Sequence, residues 1–199
     1  MYTGDLRLDL FINTLWMGWN LLLALVPFLL AQYLFQKRTR PSFLWLLGFG
    51  IFALFLPNAP YVLTDSIHFS RVLPDLATRK EMVLWTGQFT LFILTGLILF
   101  YLSFRKLEQF LLRKKYTQYR LLFRLFGFGL VSIGVYWGRF LRFNSWDALV
   151  NPQLVLSGIR YLNDVPVIVF VSGFTLFLLA LYFVFEKLQN RLRLPVVLG

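Results

Sequence analysis

Groups able to do acid–base chemistry are scarce in this 199-residue chain, and they gather in two places. There is one histidine, His68, and no cysteine. His68 lies near the end of the stretch Pro57-Asn58-Ala59-Pro60-Tyr61-Val62-Leu63-Thr64-Asp65-Ser66-Ile67-His68-Phe69. On a helix beginning near Pro60, Asp65 and His68 stand at i,i+3, and Thr64 and His68 at i,i+4. All three then share one face. A carboxylate beside an imidazole fixes its tautomer and strengthens it as a base. This spacing nominates His68 as a general acid/base and Asp65 as the group that orients it. The second place is Tyr136-Trp137-Gly138-Arg139-Phe140-Leu141-Arg142-Phe143-Asn144-Ser145-Trp146-Asp147. Arg139 and Arg142, at i,i+3 on a helix end, are suited to gripping a phosphate or a carboxylate. Asn58, Tyr61, Asn144 and Asp147 complete the candidate binding set. The plainer alternative is structural. Asn-Ala-Pro is then a turn, and Asp65 or Asp147 pairs with Arg139 or Arg142 to lock two loops together.

The elements that carry these residues are set by hydropathy. Hydrophobic residues make up 58% of the chain and charged residues 15%, against about 25% charged in soluble domains. The fold class expected is an all-α polytopic membrane bundle forming one domain over residues 1–199. Five spans are predicted near residues 10–35, 41–56, 82–104, 121–141 and 165–185, with short interfacial helices on the extracytoplasmic side. The first run is too long for a signal-peptide core and has no basic leader, so it reads as retained. Within it Asn13, Asn20 and Pro27 recur every seven residues on one face. Helix packing is the favoured reading of that face, and a substrate contact the alternative. Pro27 is expected to kink the helix.

The second run decides where the chemistry sits. From Pro41 to Leu56, 16 residues rise about 24 Å, short of a hydrocarbon core of roughly 30 Å. Pro57 has no N–H, and Pro60 is expected to push Ala59 out of the helical region. Asn58 is expected to cap the helix that starts after the break. Backbone broken at that depth must be buried in protein or line a cavity. In the fourth run Gly127, Val131, Gly134 and Gly138 share a face that lets another helix approach closely. Asn144 and Asp147 resemble a capping pair, and Pro152 to Leu162 reads as a short interfacial helix.

Residues 105–120 read as a basic loop, partly amphipathic on the membrane. Of the twenty basic residues, thirteen fall at the ends joined by this loop, the 36–40 turn and the tail, with only Glu108 and Glu186 for acids. The positive-inside rule then puts the N-terminus outside and the C-terminus in the cytoplasm. Both polar motifs come out on the extracytoplasmic side of a cell membrane. The net charge of +11 is accounted for by that asymmetry, so nucleic acid is not an expected partner. Membrane lipids are, and so are other membrane proteins. Without cysteine there are no disulfides or thiolate catalysis, and one histidine gives no histidine-rich metal site. No metal or cofactor is expected.

A weak internal repeat pairs the motifs. Gly48-Phe49-Gly50-Ile51 recurs as Gly127-Phe128-Gly129-Leu130 at an offset of 79, and Phe89-Thr90-Leu91-Phe92 as Phe174-Thr175-Leu176-Phe177 at 85. Matches of this kind also arise by chance in a chain rich in Phe, Leu and Gly.

Three segments together carry a resemblance. They are Trp19-Asn20-Leu21-Leu22-Leu23-Ala24 with Pro27, Leu56-Pro57-Asn58-Ala59-Pro60-Tyr61 through Thr64-Asp65 to His68, and Gly138-Arg139 through Arg142-Phe143-Asn144-Ser145-Trp146-Asp147. They resemble the bacterial membrane family known as domain of unknown function 1361. The resemblance spans nearly the whole chain and implies a small multi-pass protein of the bacterial cytoplasmic membrane. It implies no activity.

Three functions are compatible with these residues. One is a membrane enzyme acting on an anionic, lipid-linked substrate, with the arginines stabilising developing negative charge. The second is a non-catalytic subunit or assembly factor whose glycine and asparagine faces bind other helices. A transporter ranks third, because five spans are few and no acidic residue lies mid-span to couple ions.

Overall fold

The computed structural model describes residues 5–36, 42–75, 78–112 and 114–192. Among them there is no strand, and five helical stretches are long and apolar enough to cross a membrane. These are Leu6–Leu34, Phe43–Ser70, Arg79–Leu111, Thr117–Leu141 and Val165–Arg191. The protein is an all-α polytopic bundle. Its outer faces stay apolar and exposed, as at Phe11, Leu22, Leu91, Phe126 and Leu176, which suits a lipid environment.

Helix α1, Leu6–Leu34, starts where the Asp5 side chain accepts from the Arg7 and Leu8 amides. It runs through Pro27 without interruption. Helix α2, Phe43–Phe55, is capped by Ser42 and has only 13 residues, about 20 Å of rise. The break after it is gentler than the two prolines suggest. Helix α3, Asn58–Tyr61, begins directly after Pro57 and contains Ala59 and Pro60. A 3-10 turn over Val62–Asp65 leads to α4, Ser66–Val72. Ala59 is therefore helical, contrary to expectation. Pro60 falls in a first turn, where an N–H has no intrahelical partner to lose. Asn58 is not an N-cap either: its Nδ2 reaches back and donates to the Phe55 carbonyl at 3.0 Å. It thus satisfies one acceptor that the interrupted ladder of α2 leaves open.

This broken segment is the centre of the molecule. Ala59 and Val62 are fully buried, and α3 packs against α1, α5 and α6. Helix α5, Arg79–Leu111, opens with a capping box between Thr78 and Glu81. Its Gly96 makes the close approach possible: a Cβ there would lie 2.4 Å from Val62 Cγ2 and 2.7 Å from the Ala59 carbonyl oxygen. Helix α6, Arg120–Tyr136, continues as a π-helical turn over Trp137–Leu141. The glycine face acts as predicted. A Cβ on Gly127 would meet the Phe104 ring, and one on Gly134 would meet Pro57. Short helices α7, Asp147–Val150, and α8, Pro152–Ile159, precede α9, Val165–Arg191.

Helices α1 and α5 pack side by side, as do α6 and α9, while α2 lies along α1. The two halves that carry the proposed repeat, α2 to α5 and α6 to α9, thus differ in packing, since α6 and α9 lie side by side and α2 packs on α1. Asn13 behaves as a helix-packing asparagine, donating to Gln88 Oε1 at 2.9 Å, and Gln88 donates to Thr14 Oγ1 at 2.7 Å.

At the end of the bundle opposite the two motifs lies a buried ionic cluster. Arg124 of α6 makes paired hydrogen bonds of 3.0 Å to Glu108 and of 3.0 and 3.1 Å to Glu186. Arg105 also bonds Glu186, and the Tyr182 hydroxyl donates to Glu108 at 2.8 Å. Consequently the 105–120 loop is mostly not a loop. Helix α5 runs on to Leu111, placing Arg105, Lys106 and Glu108 on the helix. The cluster ties α5, α6 and α9 together where unpaired charge is costly.

Candidate functional site

The second polar motif is shaped by an unusual helix end. The turn over Trp137–Leu141 is π-helical, and Arg142 closes it in the left-handed region at φ 58°, ψ 34°. The Phe143 amide then donates to the Trp137 carbonyl at 3.1 Å. A left-handed arginine costs on the order of 1–2 kcal/mol, and π turns concentrate at functional sites. The widened turn carries Arg139 toward α4 and leaves Arg142 exposed at the rim.

The two motifs meet, as their charges require. Arg139 Nη1 lies 3.1 Å from Asp65 Oδ1 and 3.5 Å from His68 Nε2. Asn58 Nδ2 donates to Ser145 Oγ at 2.7 Å. The relation of Asp65 to His68 differs from the one the spacing suggests. Asp65 is fully buried, its Oδ1 accepts from Arg139, and its Oδ2 has no hydrogen-bond partner among the described residues. The carboxylate therefore orients the guanidinium and does not hold the imidazole directly. The cause is the 3-10 turn ending at Asp65, which directs its side chain into the core. His68 instead stands edge-on to Trp16, with ring centroids 5.2 Å apart. Thr64 is also removed from the face, because its hydroxyl donates to the Tyr61 carbonyl at 2.7 Å.

A cavity of about 830 Å³ lies between the motifs. His68, Arg139, Arg142, Asn58, Tyr61 and Asn144 all line it. Asp65 and Asp147 do not. Asp147 Oδ2 accepts from the Asn144 amide at 2.6 Å and from its side chain at 3.3 Å. It thus shapes the loop and leaves the arginines alone. Among the described residues no carboxylate lines the cavity, so its wall is cationic, with Asp65 balancing Arg139 from behind.

Opposite the polar rim the walls become apolar. Leu23 of α1, Ala53 and Leu54 of α2, and Leu130 and Ile133 of α6 line that part. Helices α2 and α6 make no extended contact with each other, and Ala53 and Leu130 are exposed. The apolar part of the wall therefore lies between two helices that are not packed together. A cationic rim beside an apolar wall has the chemistry to hold an anionic group that carries a hydrocarbon chain. Among the described residues no three metal-ligating side chains come together.

Trp19, Trp137, Ser145 and Trp146 line the cavity without having been nominated from the sequence, and Asn20 lines it too, where helix packing was the favoured reading and a substrate contact the alternative. Asn20 did carry a signal, the seven-residue spacing with Asn13 and Pro27. That spacing does not tell a helix contact from a cavity wall.

A family model described as Protein of unknown function (DUF1361) matches residues 19–181. That interval contains both motifs and every lining residue of the cavity. Neither a curated protein nor a solved structure matches the chain.

Proposed function

The chain belongs to the DUF1361 family, and we propose that it is a membrane enzyme acting on an anionic, lipid-linked substrate. The observation that carries this reading is that His68, Arg139 and Arg142 line one cavity whose other wall is apolar. The arginines grip the anionic group and stabilise charge that develops on it. His68 exchanges the proton, its Nε2 standing 3.5 Å from Arg139 Nη1 at the cavity wall. Asp65 is a positioning residue that holds Arg139. Asn58, Tyr61 and Asn144 border the bound group.

The proposed setting is a cell membrane, with the N-terminus and both motifs outside and the C-terminus in the cytoplasm. The charge asymmetry of the sequence supports it. The second reading, a non-catalytic subunit, draws on the Asp65–Arg139 and Asn58–Ser145 contacts between the two motifs, which serve equally as a lock between loops.

The test is to incubate the purified protein with anionic lipids in vesicles and to follow headgroup chemistry by mass spectrometry. The expected result is turnover by the native protein that His68→Gln abolishes while lipid binding persists. Turnover unchanged in His68→Gln removes the histidine from the chemistry. Anionic lipids that are bound but left unaltered favour the subunit reading.

A further inference from the structure

We propose that Asn20 is a ligand-contacting residue, and that the ligand is an ester-linked anionic glycerolipid, not a polyprenyl phosphate. This rests on reading the cavity as a lipid site. Asn20 sits midway along α1, half-buried, and lines the cavity beside Leu23. Its two predicted companions on that face are already engaged. Asn13 bonds Gln88, and Pro27 is buried in helix packing. The Asn20 side chain has no hydrogen-bond partner among the described residues. An amide that lines the cavity beside an apolar wall gains a hydrogen bond when a polar group enters.

Its depth says what that polar group is. His68 is packed against Trp16, and Asn20 lies four residues further along α1, about 6 Å deeper. An anion held by Arg139 and Arg142 at the level of His68 therefore has its next atoms near Asn20. In a glycerolipid these are the ester carbonyls, one glycerol unit inside the phosphate, and they accept from Nδ2. In a polyprenyl phosphate the same position holds only hydrocarbon, and the amide stays unsatisfied. The apolar wall of Leu23, Ala53, Leu54, Leu130 and Ile133 takes the hydrocarbon in either case, so the discrimination falls to Asn20.

The experiment is competition by native mass spectrometry of the full chain in maltoside detergent. The probes are dioleoyl phosphatidic acid, its dialkyl-ether analogue without carbonyls, a polyprenyl phosphate, and dioleoyl phosphatidylcholine as the zwitterionic reference. One neutral hydrogen bond predicts that the diester binds about five-fold more tightly than the diether, with the polyprenyl phosphate no tighter than the diether. Asn20→Leu should erase that preference while leaving the preference for anionic over zwitterionic lipid intact. Equal binding of diester and diether by the native protein overturns the assignment without recourse to any variant, and so does an Asn20→Leu protein that keeps the preference. In both cases anion selectivity persists and the lipid-site reading stands. Loss of all selectivity for anionic lipid in the native protein sinks that reading and this one with it.

Discussion

Gly134 of α6 lies directly against the ring of Pro57, so that a Cβ on the glycine would come within 2.5 Å of Pro57 Cγ. The interrupted helix is thus seated on a helix that has been hollowed to receive it. Gly96 does the same from α5, where the obstructing atoms include the Ala59 carbonyl oxygen at 2.7 Å. A proline ring and a backbone carbonyl cannot rotate out of the way as a flexible side chain can.

Gly134→Leu and Gly96→Ala are therefore expected to destabilise by about 1–3 kcal/mol each through overpacking. Gly18→Ala should not, because nothing stands within 4 Å of a Cβ there. Thermal unfolding of the three variants in one detergent checks this. A Gly96→Ala protein as stable as Gly18→Ala would show that α3 is not held against α5 as described.

The bundle itself was legible in the sequence because hydropathy reports burial in lipid directly. The glycine face of the fourth span and the meeting of the two motifs could be reasoned from side-chain size and the cost of unpaired charge, whereas the second apolar stretch runs on past the prolines, over Phe43–Ser70. The form of the break could not. Proline rules are local, and they do not register that Pro60 falls in the first turn of a new helix. The buried cluster escaped for a related reason. Arg105, Glu108, Arg124 and Glu186 look like interfacial charges when counted along the chain, and only packing of α5 against α6 and α9 shows that they are each other's partners. The carboxylate–imidazole pair failed because helical spacing fixes which residues are neighbours but not which way a side chain turns.

That cluster supports a second prediction. Glu108 accepts from both Arg124 and Tyr182, and Arg124 has its side chain almost fully buried. Glu108→Ala leaves the guanidinium with Glu186 alone and should cost about 3–5 kcal/mol, the usual penalty for breaking one side of a buried ion pair. Tyr182→Phe deletes one hydrogen bond to a charged acceptor and should cost about 1.5–3 kcal/mol. Unfolding in graded denaturing detergent ranks the two. A Glu108→Ala protein of native stability would mean that water reaches the cluster.

The same end of the bundle fixes the orientation test. Fusing a reporter after residue 112, between α5 and α6, should give a cytoplasmic signal, and so should one at the chain end. A reporter inserted at residue 77, between α4 and α5, should read extracytoplasmic. The expectation comes from the excess of basic residues at the end where α5 stops and α6 starts. The opposite pattern in the three fusions would invert the membrane and move the cavity to the cytoplasmic face.

The pairing of Asp65 with Arg139 allows the structural and the functional parts of the site to be separated. Arg139→Gln leaves the fully buried Asp65 carboxylate without its ion-pair partner and should destabilise strongly, by about 3–5 kcal/mol. Asp65→Asn leaves the guanidinium, which has some access to the cavity, and should cost less. If the two act mainly on each other, the double variant Asp65→Asn, Arg139→Gln is more stable than Arg139→Gln alone, because the stranded charge has been removed along with its partner. Its binding of anionic lipid should nevertheless remain weak, since the cationic wall has lost one of its two arginines. Stability is read by unfolding and binding by lipid competition on the same preparations. Recovery of both together in the double variant would mean that Arg139 serves the fold and that Arg142 alone meets the anion. Recovery of neither would mean that the two residues do not form an independent pair.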